Sequence, residues 1–217
     1  MAYIVLDMEW NQNGIHQKCP VNKSGKLLKN EIIQIGAVQL DNALQFVDTF
    51  KASVRLPGKR TLNKHVARVV VIDEHELKKG IDFCEAIKQF RAWCGRRPIF
   101  LIWGFDDIAV LKHNLEYYGL PQQWVERWYN AQMIYSSQFL EQRQQVSLSA
   151  AADRLGLELN LPAHDAFNDA LLTAMICQKL DIAKGISTYA HYMKPAVKKT
   201  PVRRRPKKKS RAPTPSS

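Results

Sequence analysis

Long apolar runs are missing from this chain: no stretch approaches the ~20 residues a helix needs to cross a bilayer, so no membrane partner is expected. Cysteine is sparse, and the four present (Cys19, Cys84, Cys94 and Cys177) never fall into a C-x-x-C spacing. That speaks against a zinc site or a disulfide framework and predicts reduced, structural thiols in a cytoplasmic protein. The opening residues lack a basic segment and run straight into a strand-like stretch, so no secretory signal is expected. Internal repeats are absent. Acidic residues are absent from positions 194–217, which hold ten of the 32 Lys and Arg residues. The net charge of +12 is therefore carried mostly by that tail, leaving 22 cations against 20 anions, or +2, for residues 1–193. A nearly neutral body of this size suits one α/β domain, placed at 1–185, with an appendage at 194–217. Tail residues of Pro, Lys, Arg, Ser and Thr cannot bury enough apolar surface to order themselves, so disorder is predicted there.

What the chain does have is an apolar run, Tyr3-Ile4-Val5-Leu6, ending in Asp7-Met8-Glu9-Trp10. Alternate side chains of a strand share a face, so Asp7 and Glu9 point the same way. Two like charges at the end of an apolar strand cost folding energy unless a cation lies between them. A hard divalent ion with oxygen ligands is the usual remedy.

Further along, Asn11 to Asn30 reads as a polar loop, and Glu31-Ile32-Ile33-Gln34-Ile35-Gly36-Ala37-Val38-Gln39-Leu40 as a second strand. Asp41-Asn42 suits a turn, and a third strand is expected from Leu44 to about Val54, completing an antiparallel meander. Residues 62–96 change to helical periodicity, with Cys84, Ile87, Phe90 and Cys94 expected on one buried stripe. Pro98 to Trp103 is continuously apolar, as a buried central strand should be. Ile108, Leu111, Leu115 and Tyr118 mark another helix, stopped by Gly119 and Pro121. Helices follow at 132–142, 147–156 and about Asp165–Leu180, the last carrying Ala166, Ala170 and Ala174 as a small-residue stripe that allows close approach to a sheet. The order predicts a mixed central sheet, an antiparallel meander joined to parallel strands, with helices on its faces.

A site for two ions needs about four convergent carboxylates. Asp106 and Asp107 follow the central strand and open a helix, where one can serve as N-cap while the other faces the cleft. Asp107 falls on the helix side of the pair. His164-Asp165-Ala166-Phe167-Asn168-Asp169 supplies the last candidates. His164 and Asp169 would lie about 140° apart on a continuous helix. They can share a cleft only if His164 belongs to the preceding loop, with Asp165 as N-cap. Histidines titrate near neutral pH, so one on a loop beside an activated water is placed to act as general base.

Taken together, Asp7-x-Glu9, Asp107 after a buried strand and His164-x-Ala166-x-x-Asp169-Ala170 resemble the DEDDh group of 3′→5′ exonucleases, which have a ribonuclease H-like fold. Glu31 to Val38 resembles their second strand, and the likeness spans roughly residues 1–182. Asp7-x-Glu9-Trp10 with Trp103-Gly104-x-x-Asp107 is most similar to the bacterial KapD-type branch. The family's more usual third motif, Asn-x-x-Phe-Asp, is replaced here by Phe105-Asp106-Asp107, so Asp106 competes with Asp107 while the Gly104-x-x-Asp107 spacing favours the latter. The resemblance implies Asp7, Glu9, Asp107 and Asp169 as ligands of two Mg²⁺ ions, with Mn²⁺ tolerated. It implies His164 as the base, and Met8 and Trp10 as contacts to the terminal nucleotide. Asp7 would bridge both ions, Glu9 and Asp169 would complete one shell, and Asp107 would help hold the other.

The expected activity is 3′→5′ trimming of single-stranded nucleic acid, RNA in preference to DNA. The basic tail is expected to bind the phosphate backbone through counterion release. A DNA-directed exonuclease of proofreading type is the rival within enzymes, and a catalytically idle nucleic-acid-binding module on the same fold the rival outside them. Four carboxylates and a histidine argue against idleness, since a pure binder has no use for a costly acidic cluster. No residue marks a dimer surface.

Overall fold

The computed structural model describes residues 2–13, 18–58, 60–72, 74–140, 144–158 and 160–193. The expected disordered tail at 194–217 lies outside the described residues. Five strands form one sheet in the order β3-β2-β1-β4-β5. They are β1 (Tyr3–Gln12), β2 (Asn30–Leu40), β3 (Phe46–Ser53), β4 (Ile99–Ile102) and β5 (Trp128–Asn130). The first three make the expected antiparallel meander, and β4 and β5 join β1 in parallel. Strand β1 lies in the middle, and both faces of the sheet claim its side chains. Ile4, Leu6 and Met8 enter one core with Phe90, Phe100 and Leu111, while Val5 enters the other with Leu101, Tyr135, Ala170 and Ala174. By that alternation Asp7 and Glu9 belong to the second face.

Helices α1 (Val66–Val69), α2 (Glu74–Lys79) and α3 (Phe83–Cys94) occupy the region expected to be helical from 62 to 96. The break before α3 falls at Gly80, where an added Cβ would come within 2.6 Å of the Ser53 carbonyl oxygen. Asp82 then caps α3 by accepting from the Glu85 N–H at 3.1 Å. The buried stripe of α3 runs through Phe83, Ile87, Phe90 and Cys94; Cys84, expected on it, is exposed. One residue is 100° of helix, and the larger Phe83 takes the inward place.

Helix α4 (Asp106–Tyr117) follows β4 and ends in a Schellman turn. There Gly119, at φ +69°, donates to Glu116, and Leu120 donates to Leu115. Helices α5 (Ala131–Phe139), α6 (Leu148–Arg154) and α7 (Ala166–Cys177) cover the second face, and α8 (Ile182–Met193) carries the fold past residue 185.

The polar loop expected from Asn11 is shorter than foreseen, because β1 runs on to Gln12 and pairs with Asn30. Asn11 is fully buried there and accepts from the Asn63 N–H at 2.7 Å, so a tertiary partner rather than β propensity extends the strand. Helix α7 lies directly on β1 and β2. Its stripe of Ala166, Ala170 and Ala174 is buried, and an added Cβ on Gly36 would stand 2.2 Å from the Ala166 carbonyl and the Phe167 nitrogen. Gly36 pairs with Asp7 across the sheet, so this close approach of helix to sheet lies beside the first carboxylate.

Candidate active site

Strand β1 delivers two carboxylates to the end of the sheet at which β4 gives way to α4. Asp7 and Glu9 are both half-buried and sit opposite Gly36 and Gln34 of β2. Register changes immediately after Glu9, where β2 bulges and Trp10 pairs with Ile32 instead of Ile33.

Asp107 is 5 % exposed and accepts from the Met8 N–H at 3.0 Å. That bond ties the first turn of α4 to β1. Asp106 is exposed, and neither residue makes an N-cap hydrogen bond, since Phe105 occupies the cap position. The expectation that one of the pair caps the helix is therefore corrected: both lie inside the first turn and both border the cleft, Asp107 buried and Asp106 exposed. Carboxylates there are favoured by the positive end of the helix dipole without any capping geometry.

Asp165 caps α7 as expected, accepting from the Phe167 and Asn168 N–H groups at 3.0 Å each. The cap starts the helix one residue after the loop and so leaves His164 outside it, with φ +60°. His164 donates its N–H to Asp169 Oδ2 at 3.1 Å and accepts from the Val71 N–H at 2.9 Å. Its exposed side chain reaches the acidic group, with ligand atoms of Glu9, His164 and Asp169 all within 4.8 Å of one another.

These residues line a cleft of about 240 Å³ whose walls are Asp7, Glu9, Asp107, Asp169 and His164 with Trp10, Trp103, Gly104, Phe105 and the exposed Asp106. All five residues expected to carry the chemistry meet there. Trp10 also borders a neighbouring hollow with Gln12, Asn30 and Asp106. Met8 behaves differently. Its residue borders the cleft, yet it is 2 % exposed and its side chain packs in the first core.

Burial, and after it the carboxylates of Asp107, Asp169 and Glu9, hold Asp7 well above the ordinary aspartate range. Burial with Asp169 and Asp107 nearby pushes Glu9 up to about 8. Asp107 rises to about 7 through burial, against the pull of N–H donation from Met8. Asp169 rises for the same first reason, opposed by its bond from His164. Among the described residues no Lys or Arg lines the cleft, and Lys51 is engaged 3.0 Å from Asp165. The cleft thus gathers five carboxylates, with Asp7, Glu9, Asp107 and Asp169 the four held above their ordinary range, and no counter-charge from a described Lys or Arg. Hard oxygen donors with one imidazole alongside suit Mg²⁺ or Mn²⁺, which would lower all four pKa values together.

A mixed five-stranded sheet that brings carboxylates from β1, α4 and α7 to one end of its strands has the architecture of a ribonuclease H-like exonuclease. The chain belongs to the RNase T exonuclease family, whose model matches residues 4–177. Among curated proteins no sequence matches it. Among solved structures, the nuclease domain of 3′hExo, a DEDDh family member bound to rAMP, is similar with a TM-score of 0.70 and 19 % identity, covering 85 % of this chain and 92 % of that one. A 3′-exonuclease solved in specific recognition of a histone mRNA stem-loop gives 0.70 and 18 %, covering 85 % and 82 %. The Mg²⁺- and Mn²⁺-bound form of S. pombe Pop2p gives 0.59 and 18 %, covering 89 % and 86 %. At such identities the likeness is one of fold.

Two residues of the site's support were not singled out from the sequence. Gln34 and Gly36 sit within an apolar strand, and their roles depend on α7 lying against them. Gly36 at least carries a signal, since glycine inside a strand often marks a close backbone approach.

Proposed function

We propose that this exonuclease removes nucleotides from the 3′ end of single-stranded nucleic acid, RNA in preference to DNA, with two Mg²⁺ ions in the cleft. The observation that carries this reading is the gathering of Asp7, Glu9, Asp107 and Asp169 with no Lys or Arg among the described residues of the cleft. Those four would hold the ions, and Mn²⁺ is expected to substitute. Bound there, the ions supply charge stabilisation for the attacking and leaving oxygens of a phosphodiester.

His164 then has the task of taking the proton from the attacking water. Its side chain is exposed to the cleft, and its backbone is tied at both N–H and C=O, so the ring swings from a fixed base. Trp10 is half-buried on the cleft wall, where its indole face can stack on a base without regard to sequence. The RNA preference is supported by the rAMP-bound and stem-loop-bound neighbours. Asp7-x-Glu9-Trp10 and Trp103-Gly104-x-x-Asp107 support placement in the DEDDh group and its KapD-type branch, and with it a bacterial cytoplasm. The basic segment 194–217 adds phosphate-backbone affinity.

End-labelled RNA and DNA oligonucleotides, with 3′ ends free or blocked, test the proposal in one assay with and without Mg²⁺. Shortening from a free 3′ end, faster on RNA and abolished by chelator, is expected. Equal loss from blocked ends refutes the polarity, a DNA preference favours the proofreading reading, and metal-independent cleavage removes the site.

A further inference from the structure

We propose that Gln34 is a positioning residue for His164, acting through a clamp on the two segments that fix the histidine loop. The inference rests on the reading of His164 as the base. Gln34 is 2 % exposed, faces α7 from β2, and pairs across the sheet with Glu9. Buried amides hold their hydrogen bonds because an unmade one costs about 1–3 kcal/mol. Gln34 spends both ends of its amide on the His164 surroundings. Its Nε2 donates to the Val71 carbonyl at 3.1 Å, and its Oε1 accepts from the Ala166 N–H at 3.4 Å.

Val71 and Ala166 flank the histidine on both sides. Val71 donates its own N–H to the His164 carbonyl at 2.9 Å, and Ala166 stands two residues further along the chain. A closed circuit results, from Gln34 to Val71, to His164, through Asp165 to Ala166 and back to Gln34. It is needed because His164 sits at φ +60°, a left-handed conformation that a non-glycine residue keeps only when its surroundings over-determine it. The Asp169 carboxylate secures the His164 N–H, but nothing in that bond fixes the carbonyl side. Gln34 therefore sets the Val71 segment, and the Val71 segment sets the histidine.

Gln34→Met removes both bonds at nearly constant length. The expected result is a 10–100-fold fall in kcat on a single-stranded oligonucleotide, since misplacement of a reacting group by about 1 Å can cost about 10²-fold. KM is expected to stay within about threefold, because no Gln34 atom meets the nucleic acid. In a His164→Ala background the same change should cost less than about twofold, the signature of two residues acting as one unit. Amide exchange at Val71 should accelerate at least about tenfold in Gln34→Met, with the exchange of β1 amides unchanged.

Multiplication of the two losses in the double variant overturns the proposal, as does a parent-like kcat in a folded Gln34→Met, or unaltered Val71 exchange. Gln34→Glu, which keeps the acceptor for Ala166 and removes the donor to Val71, repeats the cycle if the methionine variant does not fold. If the parent protein shows no nuclease activity at all, it is the reading of His164 that fails, and the exchange measurement still decides whether the clamp exists.

Discussion

Gly36→Ala meets the closest obstruction of any glycine-to-alanine change among the described residues. One methyl on that residue would stand 2.2 Å from the backbone of Ala166 and Phe167, where ordinary carbon contacts begin near ~3.5 Å. The obstruction is main chain on both sides, so no rotamer change relieves it. Helix α7 must move outward by roughly 1 Å, or the sheet must buckle. Overpacking of this kind costs about 1–3 kcal/mol, and backbone against backbone belongs at the upper end. At about 2–4 °C per kcal/mol for a chain of this size, the melting temperature should fall by about 6–12 °C. The same movement carries His164 and Asp169 away from Asp7, and a shift of about 1 Å at a reacting centre can cost about 10²-fold in rate. Differential scanning fluorimetry and single-turnover cleavage of a labelled oligonucleotide, both at saturating Mg²⁺, measure the two effects. A variant with the parent's melting temperature would show that the close approach is not real. A clear drop in melting temperature with an unchanged rate would show that α7 does not carry the site.

Three further outcomes are expected. Because the folded-state pKa values of Asp7, Glu9, Asp107 and Asp169 all lie above the unfolded range near ~4, the native protein binds more protons than the unfolded chain. Stability without metal is then fully present at acid pH and lost as pH rises through about 7 and 8, the values for Asp107 and Glu9. Urea midpoints in chelator at pH 5 to 8 check this, and a profile that rises over that window contradicts it; Mg²⁺ should reverse the trend. Asp7→Asn should raise the melting temperature of the metal-free protein at pH 8 while reducing cleavage to background, a pairing that a purely structural aspartate would not produce. Deleting 194–217 should leave kcat unchanged and flatten the salt dependence of RNA binding by about 0.7 in log–log slope for each phosphate that the tail had neutralised; an unchanged slope assigns the tail no role in binding.

How far the sequence reveals such a site depends on the range of the interaction concerned. Local signals read true. Asp165 as N-cap, the Gly119 stop and the apolar β4 all depend on neighbours within a few residues. The carboxylates were legible because Asp7 closes the apolar run of β1 and Asp107 and Asp169 lie in the first turns of their helices. Long-range effects were not. Strand β5 spans three residues and has no period of its own; it exists because β4 offers an edge. Asn11 and Gln12 extend β1 because a distant Asn63 satisfies the buried amide. Cys84 and Phe83 differ by one position, and packing of an aromatic ring decided which turned inward. Helix α8 did leave a trace in Ile182, Ile186 and Tyr189, spaced as one face. The Gln34 clamp left none, since both its partners lie more than thirty residues away.

The separation of the site residues along the chain has a consequence for how the protein is made. Asp7 and Glu9 leave the ribosome long before His164 and Asp169 are synthesised. On the proposed reading, a nascent chain that stops short of α7 would hold at most three of the four proposed ligands and would lack His164, so it would have no complete site with which to cut nucleic acid. Cleavage would then become possible only when α7 docks, and a fragment cut short before α7 would be inert on that reading.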